Sequence, residues 1–167
     1  MPTLIPRAEA LARIRAECGV PACLMCAIEG GRAGGRYAFA DEGDVVLLLP
    51  RYVRRWGHVM VLPKQHVITF AEVDDALWAR TSALALRAAR MIEREMKPLR
   101  VYMASTGSSA GELTQTSSHL HVHVIPLFVA DDRPADVFSW SQGVYVAEHD
   151  EWEALRLRYQ RAWAETR

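Results

Sequence analysis

Three histidines stand at alternate positions in His119-Leu120-His121-Val122-His123-Val124-Ile125-Pro126. On a strand, alternate side chains share a face, so the imidazoles would line up while Leu120, Val122 and Val124 turn to the core. Imidazole acts as nucleophile, proton carrier or metal ligand near neutral pH, and a row of three points to a reaction or an ion. Far upstream, Cys23 and Cys26 form a C-x-x-C pair, and Cys18 makes the cysteine count odd, three in all. In a reducing compartment that pattern reads as metal or redox chemistry rather than a disulfide scaffold.

Residue types alone leave three arrangements open. Three histidines could hold a catalytic zinc with an open position for water. Same-face strand positions lie about 6.6 Å apart, so that site would need a bend in the chain. Alternatively, Cys23, Cys26 and two histidines supply the ligand types of a closed tetrahedral zinc. A redox C-x-x-C is the third arrangement, although no thioredoxin-like pattern surrounds it.

The elements that must carry these residues can be read from periodicity. Pro6, Ala8, Leu11, Ile14 and Cys18 predict an N-terminal helix that ends near Gly19 to Pro21. Glu29 to Arg36 reads as a loop, followed by strands at Tyr37 to Phe39, Val45 to Leu49 and His58 to Leu62. Val73, Leu77, Leu84, Ala88 and Met91 predict a helix over Phe70 to Lys97, closed by Pro98. A strand at Arg100 to Ala104, a Gly/Ser/Thr-rich loop at Ser105 to Ser118 and a strand at His119 to Val129 bring the strands to five, for which a largely antiparallel sheet is the simplest reading. Arg133 to Gly143 reads as irregular. Asp150 with Glu153 forms a capping-box pattern ahead of Trp152, Leu155, Tyr159 and Trp163, which predicts a C-terminal helix. The fold class is α+β.

Composition excludes several alternatives. The chain has 167 residues, half of them apolar, with 20 Lys+Arg balanced by 20 Asp+Glu. That size suits one domain, here taken as 1–167, and zero net charge gives nucleic acid no general attraction. No apolar run approaches the roughly 20 residues of a membrane span, and Met1 to Arg15 lacks a signal-peptide apolar region, so a cytoplasmic location is expected.

These segments resemble the histidine triad (HIT) superfamily. Its signature, His-φ-His-φ-His-φ-φ with φ apolar, is matched at every position by residues 119–125. Gly57-His58-Val59-Met60-Val61-Leu62-Pro63-Lys64-Gln65-His66 is similar to the family's Gly-His, apolar strand, Pro-Lys-x-His segment, and Cys23-Leu24-Met25-Cys26 to the opening of its zinc-bearing members. The likeness runs from about residue 20 to 129 and leaves 130–167 as an extension. It implies a HIT-like fold with a long packed helix, extra terminal helices, a homodimer, and one structural zinc on Cys23, Cys26, His66 and His119.

It also implies a reaction. His121 would attack the α-phosphorus of a nucleotide, with Nδ1 protonated and held by a backbone carbonyl, and form a nucleotidyl-histidine intermediate. His123 would contact phosphate oxygens or the bridging atom, and Gln115 would bind the transferring group or hold the attacking water. Ser105, Gly107 and Ser117 would support the phosphate, Leu24, Met25 and Ile28 the base, and Asp41 and Glu42 the ribose hydroxyls. His58 reads as a structural partner near the phosphate end. The 105–115 loop departs from the family pattern, since Ser105-Thr106-Gly107 stands further upstream and Gln115 follows Thr114. The expected activity is hydrolysis of a phosphoanhydride or phosphoramidate with release of a nucleoside monophosphate such as AMP. Nucleotidyl transfer or phosphorolysis, and a non-catalytic nucleotide-binding dimer, are the alternatives.

Overall fold

In the computed structural model, which describes residues 1–18, 23–30, 37–107 and 118–166, alternation along the strands sorts side chains onto two unlike faces. The strands β2 (Ala38–Asp41), β3 (Val45–Leu48), β4 (Val59–Pro63), β5 (Arg100–Ala104) and β6 (Val122–Leu127) form one antiparallel sheet in the order β2-β3-β4-β6-β5. Val45, Leu47, Val59, Val61, Val122 and Val124 share the main core with the long helix α3 (Asp75–Met96) and the last helix α5 (His149–Glu165). Val46, Leu48, Met60 and Leu62 turn the other way and are covered by Met25 and Ile28 of the short helix α2 (Leu24–Glu29). Fully burying such side chains contributes about 1.5–3 kcal/mol each.

The five-stranded antiparallel sheet and its long helix agree with the expected fold class, and element boundaries moved for local reasons. α3 begins at Asp75 rather than near Phe70 because the Asp74 carboxylate accepts the N–H groups of Ala76 and Leu77, at 2.9 and 3.2 Å. It ends at Lys97, left-handed with φ 49°, immediately before Pro98. α5 is capped by Glu148 with Glu151, one of whose oxygens accepts the Glu148 N–H at 3.2 Å, and not by Asp150 with Glu153. Trp152, Leu155, Tyr159 and Trp163 are buried along it, as their spacing requires.

The chain also departs from the expected elements near its ends and at the entry to β6. The stretch read as irregular holds a short helix, α4 (Pro134–Ser139), and is followed by β7 (Val144–Val146). β7 pairs antiparallel with an N-terminal strand, β1 (Thr3–Ile5), ahead of the expected helix α1 (Arg7–Cys18). A three-residue strand has too little periodicity to be seen before its partner is known. The correction at β6 matters for the site: β6 starts at Val122, so His119 and His121 precede the paired strand rather than lying on it. Among the described residues no helix is long and apolar enough to cross a membrane.

Candidate active site and metal centre

His119 and His66 meet the two cysteines at the entry to β6. Cys23 caps α2 and Cys26 lies one turn along, a spacing that brings two side chains to one side of a helix. The Cys26 sulfur is 3.3 Å from His66 Nδ1 and 3.4 Å from His119 Nδ1, and the Cys23 sulfur is 3.5 Å from His119 Nδ1. The four ligand atoms lie within 4.8 Å of one another. Zinc bonds of about 2.3 Å to sulfur and 2.0–2.1 Å to nitrogen make the N···S edge of a tetrahedron about 3.6 Å, so the donor set fits such an ion.

The surroundings prepare the ligands. His119 Nε2–H donates to the Pro63 carbonyl at 2.8 Å, which leaves Nδ1 with its lone pair facing the sulfurs. Burial alone would raise the Cys23 thiol, but hydrogen bonds to His119 and to the Cys26 backbone bring it down to about 6, toward the thiolate. The triad histidines therefore do not converge on one ion. The bend before β6 turns His119 to the cysteines and leaves His121 and His123 to a separate cluster.

That second cluster is a chain of buried imidazoles. His121 Nδ1 is 2.7 Å from the His119 carbonyl, His121 Nε2 is 3.1 Å from His123 Nε2, and His123 Nδ1 is 3.0 Å from His58 Nε2. A carbonyl only accepts, so His121 carries its proton on Nδ1 and presents the Nε2 lone pair. His123 then donates through Nε2 and accepts at Nδ1 from His58 Nε2–H. One backbone carbonyl thus sets the tautomers of three side chains. Burial is the main cause pushing all three pKa values down, with the Arg54 charge adding to it: His121 falls to about 4 even against its hydrogen bond to His119, and His58 and His123 fall well below the ordinary value.

Arg54 is the member that sequence reasoning missed. Its Nη1 lies 3.3 and 3.4 Å from the two ring nitrogens of His123, a contact across the ring. The guanidinium carbon is 5.4 Å from the Phe138 ring centre and 5.8 Å from that of Trp140, on and just after α4. The chain following β6 is fastened over this spot by Arg55, whose guanidinium pairs twice with the Asp132 carboxylate and also donates to Gln142. Only the run of arginines at 51, 54 and 55 hinted at such a role, and it read as a connection between strands.

The remaining predicted residues divide. Met25 and Ile28 are buried against Met60 and Leu48, and Met60 stands opposite His123 in the sheet, so this apolar cluster adjoins the histidines. Leu24 belongs to α2, but its side chain lies outside the described residues, as do Gln115 and Ser117. Ser105 follows Ala104, the sheet partner of His123, and Gly107 is left-handed with φ 72°. Among the described residues, Ser105 Oγ, Arg54 Nε and His58 Nδ1 are buried without a hydrogen-bond partner. Asp41 and Glu42 go elsewhere. Glu42 accepts from Trp163 Nε1 at 2.7 Å and from Arg87 at 3.3 Å, and Asp41 pairs with Lys64 at 2.6 Å. β3 and β4 separate Asp41's strand from β6, so these carboxylates tie α5, α3 and β4 to the sheet edge.

Comparison with known proteins agrees with this geometry. The family model described as HIT domain matches residues 37–129. An uncharacterized HIT-like protein of Mycoplasma genitalium is 26% identical over 107 residues, 64% of this chain and 73% of that protein. Protein hit of Bacillus subtilis is 29% identical over 111 residues, 66% of this chain and 74% of that protein. A hypothetical histidine triad nucleotide-binding protein of Sulfolobus tokodaii superposes with TM-score 0.69 at 23% identity, covering 86% of this chain and 93% of that one. A zinc-bound histidine triad family protein of Mycobacterium smegmatis superposes with TM-score 0.67 at 22% identity, covering 86% and 94%.

Proposed function

This chain belongs to the HIT domain family, and from that premise we propose that it hydrolyses a phosphoanhydride or phosphoramidate at the α-phosphate of a nucleoside 5′-phosphate derivative, releasing a nucleoside monophosphate such as AMP. The observation that carries this reading is the 2.7 Å contact between His121 Nδ1 and the His119 carbonyl, which leaves Nε2 as a neutral, buried nucleophile. His121 Nε2 bonds to phosphorus as the leaving group departs. Water then attacks the phosphorus, its oxygen stays on the product, one of its protons is released to solvent, and the imidazole leaves with the N–P electron pair. His123, hydrogen-bonded to His121 and fixed by His58, holds the phosphoryl oxygens or bridging atom, and Ser105 Oγ with the Gly107 backbone supplies further donors for the equatorial charge. Gln115 and Ser117 are assigned the same phosphate side.

Met25 and Ile28, with Leu24, are assigned to the nucleobase. Asp41 and Glu42 are left out of the ribose site, because their carboxylates are engaged by Lys64, Arg87 and Trp163. Cys23, Cys26, His66 and His119 would hold one structural zinc, whose four protein ligands leave no place for substrate and whose chemistry is to fix α2 and the entry to β6. A homodimer would form along β5, an edge strand bearing the exposed Met103 and preceded by the exposed Leu99.

The test is AMP release from adenosine 5′-phosphoramidate and diadenosine triphosphate by wild type and by folded His121→Ala, with intact-mass detection of nucleotidylated protein after a rapid alkaline denaturing quench, which preserves an N–P bond. Wild-type release, a wild-type adduct of one nucleotidyl group, and loss of both in the variant are the expected results. Nucleotide binding without release from either substrate would favour a binding module instead.

A further inference from the structure

We propose that Arg54 is a built-in cation at the departure side of the phosphoryl site, and that it makes this chain prefer substrates whose α-phosphate carries an anionic oxygen leaving group over those that release an amine. This deepens the hydrolase reading and rests on it. Three observations carry the step. Arg54 Nη1 touches both ring nitrogens of His123, the residue assigned to the phosphoryl oxygens or bridging atom. Its Nε is buried and, among the described residues, has no hydrogen-bond partner, so it retains a donor for a ligand. Its guanidinium is held between His123 and the rings of Phe138 and Trp140, so its position is set before substrate arrives.

The chemistry follows from where the electrons go. When an anhydride is cleaved, the His121 Nε2–P bond forms, the P–O bond breaks, and the electron pair remains on an oxygen that is stable as an anion. A guanidinium beside that oxygen stabilises it without any proton transfer. When a phosphoramidate is cleaved, the pair remains on nitrogen, which must gain a proton to leave. Among the described residues the acid beside His121 would be His123, but its Nε2–H is its only proton in the neutral ring. The adjoining guanidinium disfavours the doubly protonated form that could donate one. Arg54 thus helps one class of leaving group and hinders the other.

The experiment measures kcat/KM of the zinc-loaded protein for diadenosine triphosphate and for adenosine 5′-phosphoramidate, in wild type, Arg54→Gln and Arg54→Lys. Arg54→Gln is expected to lose about 100-fold on the anhydride and to be unchanged or gain up to about threefold on the amidate, with Arg54→Lys regaining at least about tenfold on the anhydride. A series of adenosine 5′-phosphate aryl esters adds a readout that mere structural damage would not move: dependence on leaving-group basicity should steepen in Arg54→Gln. Equal losses on both substrates, an unchanged dependence across the series, or a wild-type preference for the amidate would overturn the inference while leaving the hydrolase reading intact. Absence of AMP release from every substrate by wild type would overturn both.

Discussion

The Tyr159 hydroxyl donates to the Gly57 carbonyl at 2.9 Å, so the last helix of the chain holds the residue immediately before His58. The bond is buried, and Gly57 itself is left-handed, with φ 90°. A Cβ there would stand 2.7 Å from the Tyr159 oxygen and 3.0 Å from Met96 Cε. The extension beyond β6 is therefore part of what positions the histidine chain.

Removing that hydroxyl should cost stability and turnover together. Tyr159→Phe leaves a buried carbonyl unsatisfied, about 1–3 kcal/mol, which thermal melting would register as a fall of several degrees. Gly57→Ala should be worse, because left-handed backbone strain adds to the overlap. A Tyr159→Phe protein that melts with wild type would show the bond to be immaterial.

Disrupting the metal centre should unfold rather than merely inactivate. Cys23→Ala leaves three ligands, and the expected result is less than one bound zinc per chain with a melting temperature lower by about 10 °C, given about 2–4 °C per kcal/mol at this size. Metal analysis and calorimetry check it. Full stability and zinc content in the variant would mean that Cys23 is not a ligand.

Acid should destabilise the fold through the buried histidines. His58 and His123 are held neutral by burial, well below the ordinary histidine value, whereas in the unfolded chain they titrate near 6.5. Their contribution is complete above about pH 6.5 and is lost as pH falls from there toward the folded values, because only the unfolded chain then binds the protons. Each adds about 1 kcal/mol over the unit from pH 6.5 to 5.5, in which the unfolded histidine goes from about half to about nine-tenths protonated. Urea unfolding of the zinc-loaded protein between pH 6.5 and 5.5 should give a slope shallower by about that amount in His58→Gln. Identical slopes would mean that folded His58 is protonated.

The Arg55–Asp132 pair should pin the cover over Arg54. Both side chains are nearly buried, 12% and 5% exposed, and the Tyr102 hydroxyl donates to the Asp132 carbonyl at 3.1 Å. Breaking a buried pair by removing one partner costs about 3–5 kcal/mol. Asp132→Ala should therefore lower the melting temperature and speed amide exchange across residues 129–143, a local effect that hydrogen-exchange mass spectrometry would resolve. Exchange confined to other regions would argue against the clamp.

Much of this molecule was legible before folding because its signals are local. Alternation marked the sheet strands, 3.6-residue spacing marked α3 and α5, and the histidine, Pro-Lys-x-His and C-x-x-C segments carry their chemistry in residue type and order. Short-range pattern could not show that β6 begins only at Val122, that Glu42 is engaged by Trp163, or that Arg54 lies against His123. Those facts depend on contacts between residues 61 to 121 positions apart, from Val61 with Val122 to Glu42 with Trp163. The amino-acid sequence determined which groups are available: sulfur and imidazole donors and an apolar core. Tertiary structure decided their arrangement, because a bend and one carbonyl hydrogen bond give neighbouring triad histidines different partners, and only packing fixes where each proton resides.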